Sequence, residues 1–127
     1  MAEEKYPEKD ISPIAYQSAL KRVEGDESFL EELLDLYFED FPKKIERLQM
    51  AIEQKKFELI RKLGHSLKGS SLTLSLTFLQ EASFQMEMAG GDKDIVKAHK
   101  ALAFLKQEFK RLEDFLSEKK AKSANRS

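Results

Sequence analysis

Between Ile95 and Leu116 the apolar residues fall at Ile95, Ala98, Leu102, Leu105, Phe109, Leu112 and Leu116, with gaps that alternate strictly between 3 and 4. Such spacing places every one of them on one side of an α-helix, and a strand, whose side chains alternate with period two, cannot gather them on either face. A stripe that long has to be buried against other helices. The rest of the chain offers the partners. Leu30, Leu34, Tyr37, Phe41, Ile45, Leu48 and Ile52 form a second stripe; Ile60, Leu63, Leu67 and Leu74 form a third; Leu79, Ala82, Met86 and Ala89 form a fourth. Nowhere is strand-like alternation sustained.

Breakers and caps divide the stripes. Ser12 followed by Pro13 predicts the start of a short first helix carrying Tyr16, Leu20 and Val23, which Gly25 ends. Asp26 is placed to cap the second helix, and Pro42 inside it predicts a kink or a break into two helices. Gly90-Gly91 is read as the stop of the fourth helix and Asp92 as the cap of the last. The expectation is an all-α, up-and-down four-helix bundle with a short N-terminal capping helix, over residues 11–117. Residues 1–10 are read as an N-terminal tail. Residues 118–127 are read as a flexible C-terminal tail, because "SEKKAKSANRS" holds no apolar residue larger than alanine.

Composition narrows the functions open to such a bundle. The 127 residues are the size of one domain, and 41% hydrophobic content is enough for a core. With 22 basic and 23 acidic residues the net charge is −1, so the field that would collect nucleic acid or an anionic membrane is missing and protein surfaces are the expected partners. The absence of cysteine excludes thiol catalysis and cysteine metal sites, and two histidines are too few for an ordinary zinc site. No run approaches a membrane span, and the acidic start "MAEEKYPEKD" is unlike a signal peptide, so a cytoplasmic location is expected.

One stretch of the third helix asks for chemistry: "GHSLKGSS", Gly64 to Ser71. At about 100° per residue, His65 lies roughly 160° from both Leu63 and Leu67 and therefore on the solvent side. Lys68 at i+3 and Gly69 at i+4 share that outer face, as does Arg61 one turn earlier. A glycine there costs helix stability, about 1 kcal/mol relative to alanine, and in return clears the approach to the imidazole. Lys68 adds a cation where an anion attached to the ring would hang. An accessible imidazole beside a cation describes a nucleophile that accepts a phosphoryl group on nitrogen. The plainer reading, a solvated histidine beside a solvated lysine, is weighed against an apolar surround: Leu72 at i+7 and Leu76 at i+11 extend the His65 face and suggest a docking patch, with Arg61 at its other end. Phe29, Leu33 and Leu36 make a second apolar row on the second helix, of which Phe29 and Leu33 are expected to cover the first helix.

From Asp26 to Leu116 the chain resembles the histidine-containing phosphotransfer domains of phosphorelays. The centre of the resemblance is H-S-L-K-G-S-S, His65 to Ser71; the preceding "FLEELLDLYFEDFPKKIERLQMAIEQKKFELIRKLGHSLKGSS", with its mid-helix proline, is similar to the family's second and third helices. The resemblance implies phosphorylation of His65 at Nε2, Lys68 steadying the phosphoryl group, Gly69 keeping access open and Ser70 in a supporting place. It implies as partners a response-regulator receiver domain, a hybrid histidine kinase, or both. No cofactor of the chain's own is implied, Mg²⁺ belonging to the receiver, and a monomer suits a bundle with one reactive site. Where the family usually carries a second glycine, ten residues after the histidine, this chain has Ser75, so a differently shaped end of the third helix is expected. Twenty-two residues after the histidine stands Glu87, similar to the phosphotransfer domain of chemotaxis kinases, as is "TFLQEASFQME"; a carboxylate there would accept from Nδ1–H and leave Nε2 free.

Other candidates are weaker. His99 sits among charged residues without a second ligand, Met86 and Met88 read as packing, and Lys119, Lys120 and Lys122 as a solvated tail. A di-iron bundle would need Glu-x-x-His pairs, but Lys62 and Val96 stand three residues before the two histidines. No Gly-rich nucleotide loop occurs, so self-phosphorylation from ATP is not expected. The alternatives to a phosphocarrier are a non-catalytic helical adaptor that binds a receiver, and a phosphotransfer domain excised from a larger sensor or chemotaxis kinase.

Overall fold

The structure, a computed structural model, describes residues 11–126. The expected tail 1–10 and Ser127 lie outside them. Five helices follow in order, α1 (Tyr16–Arg22), α2 (Glu27–Glu53), α3 (Phe57–Thr73), α4 (Thr77–Asp92) and α5 (Ile95–Arg126), with no strand among the described residues. The stripes of α2, α3 and α4 are buried at every position named above, and Ala98, Leu105 and Leu112 of α5 join them. Contacts run from α2 to α3, α3 to α4, α4 to α5 and α5 back to α2, with α1 against α2. The molecule is thus an all-helical bundle. Phe41 of α2 stacks on Phe109 of α5, ring centroids 4.0 Å apart and planes within 3°, which ties the two helices farthest apart in the ring's sequence order.

The ends of α1, α2, α3 and α4 turn by the same device. Glu24, Lys55, Ser75 and Lys93 take left-handed φ values of 55°, 55°, 58° and 54°, and the residue after each donates its amide five residues back: Gly25 to Leu20, Lys56 to Ala51, Leu76 to Ser71 and Asp94 to Ala89, at 2.8 to 3.0 Å. The chain therefore reverses sharply with few glycines. At the end of α3 this turn falls on Ser75 itself. Serine adopts there the left-handed conformation that glycine favours, and its buried Oγ lies 3.0 Å from Ser18 Oγ.

Several expected boundaries move. α1 begins at Tyr16, not after Ser12, and has no side-chain cap. α2 is a single helix through Pro42, which is exposed; the helix forgoes one amide donor there without ending. α4 continues through Gly90 and Gly91 to Asp92, and Asp94, whose Oδ1 accepts from the Lys97 amide at 3.0 Å, caps α5 in place of Asp92. α5 does not fray at residue 118. Glu, Lys and Ala are strong helix formers with no breaker among them, and Lys119 Nζ sits 4.3 Å from the centroid of the Tyr16 ring.

Candidate functional site

The face of α3 opposite Leu63 and Leu67 carries His65, whose side chain is 66% exposed. Two packed neighbours fix what it can do. Glu87, on α4, places Oε2 3.0 Å from His65 Nδ1, and its other oxygen, Oε1, is buried and lies 2.8 Å from Lys68 Nζ. That second contact is an ion pair without the directionality of a hydrogen bond. Lys68 in turn holds its ammonium 5.3 Å from the centroid of the Phe84 ring. The Glu87 carboxyl is held below its ordinary range chiefly by Lys68, with the His65 bond acting in the same direction and partial burial opposing both. An ionised carboxylate can only accept. Nδ1 therefore carries the proton in this contact, and in the neutral ring Nε2 is left with a free lone pair.

Of the three glycines on α3 and the end of α4 that bear on the site, one faces open space. A Cβ at Gly69 would meet nothing within 4 Å, so nothing in the chain itself requires glycine there, and the room stands over the His65 face. Gly64 and Gly90 are the reverse. A Cβ at Gly64 would lie 2.5 Å from the Glu87 amide nitrogen and 2.8 Å from its Cα, and one at Gly90 would lie 2.7 Å from both Arg61 Cα and the Phe57 carbonyl oxygen. The backbones of α3 and α4 touch at these two points, which is what brings Glu87 within reach of His65.

The remaining sequence-predicted residues divide. Leu72 is exposed on the His65 face. Leu76 is not: it is fully buried, and its expected place in a docking patch is withdrawn. The extrapolation to i+11 assumed a continuing helix, but α3 ends at Thr73 and the left-handed Ser75 turns the chain so that Leu76 points into the core at the start of α4. Arg61 lies near the Gly90 contact and is engaged by Glu58, Nε to Oε1 at 3.0 Å and Nη2 to Oε2 at 2.6 Å. Ser70 donates to the Ser66 carbonyl at 2.9 Å and makes no bond to His65. Leu36 is exposed and borders a groove of about 450 Å³ between α2 and α3 that Leu33, Tyr37, Thr73 and Leu74 also line. Phe29 remains 46% exposed, so α1 does not cover it as expected, while Leu33 is half-buried. His99 is exposed.

Sequence reasoning missed three contributors. Gly64 stood in the motif without a role and Gly90 was read as a stop; a glycine at a buried position of an otherwise apolar stripe was the available signal. Ser71, also in the motif, is fully buried and lies 2.8 Å from Tyr37 Oη, pinning α3 to α2 one turn past Lys68. No helix among the described residues is long and apolar enough to cross a membrane.

A family model described as Hpt domain matches residues 32–115, about two thirds of the chain, and the match contains α3, α4 and every residue of the His65 cluster. No curated protein and no solved structure matches the chain.

Proposed function

The chain belongs to the Hpt domain family, whose members pass phosphoryl groups through a histidine, and on that premise we propose that it carries the phosphoryl group on His65 Nε2, between receiver-domain aspartates or from a hybrid histidine kinase. The observation that carries the assignment is the His65 Nδ1 to Glu87 Oε2 contact of 3.0 Å on an exposed ring. In the transfer, the Nε2 lone pair forms the N–P bond as the bond from phosphorus to the aspartyl oxygen breaks, and the aspartate leaves as a carboxylate. Nδ1 keeps its proton throughout. The positive charge that develops on the ring faces the Glu87 carboxylate, which stabilises it. Lys68, one turn from His65 on a flexible stem, is free to exchange Glu87 Oε1 for a phosphoryl oxygen, and Gly69 leaves room for the in-line approach.

The receiver supplies Mg²⁺ in this reading, and the chain itself uses no cofactor and does not draw phosphate from ATP. Leu72 and Arg61 contribute to docking. The ring of contacts among α2 to α5 is read as an up-and-down bundle capped by α1, with residues 11–117 as the phosphotransfer unit, acting as a cytoplasmic monomer.

The test is intact mass after incubation with a small phosphoramidate, for wild type and His65→Gln. An acid-labile gain of one phosphoryl group in the wild type alone is expected. Uptake by the folded His65→Gln variant, or none by wild type from phosphoramidate and from phosphorylated receivers, overturns the assignment.

A further inference from the structure

We propose that Gly64 is a positioning residue for His65: by letting the α4 backbone touch α3, it sets the place of Glu87 and so the tautomer of the imidazole. The inference deepens the phosphocarrier reading and rests on it for its rate effects, but not for its structural readout.

Gly64 is buried and adjoins the reactive histidine in sequence, and the atoms its missing Cβ would strike are the backbone nitrogen and Cα of Glu87 itself, at 2.5 and 2.8 Å. Backbone cannot rotate away as a side-chain tip can. A Cβ at 2.5 Å is about 1 Å short of van der Waals separation, so alanine would move α4 outward at residue 87 by roughly that much. The Nδ1 to Oε2 contact of 3.0 Å would then open to about 4 Å, beyond hydrogen-bond range. Compensation is limited, because the other carboxylate oxygen is already held by Lys68 at 2.8 Å. Gly90, packed on Arg61 and Phe57, holds the same pair of helices one turn along, so α4 cannot simply pivot to restore the bond. The cost of two helix-interior glycines is thus offset by the alignment of one side-chain pair.

The test is ¹⁵N NMR of the imidazole in wild type, Gly64→Ala, Glu87→Ala and the double variant, with phosphorylation rates from phosphoramidate alongside. Wild type is expected to show one protonated nitrogen, Nδ1, in the neutral ring. Each single variant is expected to mix the tautomers and slow phosphorylation about tenfold, and the double variant to be no slower than Glu87→Ala. Leu112→Val, a core loss outside the α3–α4 contact, is expected to leave the tautomer unchanged. If Gly64→Ala fails to fold, Glu87→Asp asks the same question: with the backbone clamped, a side chain one methylene shorter must lose Nδ1. A wild-type tautomer in Gly64→Ala or in Glu87→Asp overturns the proposal, as does a double variant much slower than Glu87→Ala. A wild-type ring that is fixed as described but takes no phosphate would sink the phosphocarrier reading and leave this one standing.

Discussion

Removing the hydroxyl of Tyr37 should stabilise a protein that has already lost the hydroxyl of Ser71. Both groups are buried, with their oxygens 2.8 Å apart between α2 and α3. In Ser71→Ala the phenol keeps its hydroxyl but has no other partner among the described residues, and a buried unsatisfied donor costs about 1–3 kcal/mol; we expect about 2 kcal/mol. Tyr37→Phe is expected to cost less, about 1 kcal/mol, because the serine left behind has an alternative: Ser70 and Thr73 both donate to the carbonyl four residues back on α3, and Ser71 can turn to Leu67 in the same way. The double variant removes both polar groups and leaves nothing unsatisfied, so it should regain about 1 kcal/mol over Ser71→Ala. Urea denaturation of the four proteins, followed by helical circular dichroism, measures this directly. If the double variant is the least stable and the two losses simply add, the hydrogen-bond account of this contact is wrong.

Three further outcomes follow from the same structure. Burial, as the largest cause, pushes the Tyr37 phenol up from its ordinary value near 10, the Ser71 bond opposing and Asp40 adding to the rise; its contribution to stability is therefore complete below about pH 10 and is lost as pH rises further, and Tyr37→Phe should flatten that alkaline limb in urea titrations. Glu87 is held below its ordinary value of 4.5, so its contribution is complete above that pH and is lost as pH falls through the lowered value; Glu87→Gln should be less stable than wild type at pH 7 and should converge on it in acid. Lys93 is exposed and left-handed at φ 54°, so Lys93→Gly should raise the unfolding free energy by about 1 kcal/mol, read as a higher urea midpoint, with no effect on phosphorylation of His65.

What local periodicity can decide, the sequence decided by itself. The 3-and-4 spacing is a property of one helix, so it placed the buried stripes and put His65, Lys68 and Gly69 on a common outer face before any partner helix was known. Glu87 was reached by a different route, the resemblance of the spacing His65 to Glu87, because twenty-two residues and a turn separate the two and no helical period spans a turn. The errors sit where one element meets another. Leu76 was carried outward along a helix that had already ended, and its burial depends on a serine accepting a left-handed φ of 58°. Gly90 looked like a terminator because glycine weakens helices, yet a helix that can bring its backbone against a neighbour gains from having no side chain there. Gly64 is the clearest case. Its own segment places it on the buried stripe and Gly69, five residues on along the same helix, on the outer face; only the approach of α4 turns that buried place into a backbone contact at 2.5 Å while Gly69 faces empty space, because close packing is a relation between two surfaces and neither surface carries it alone.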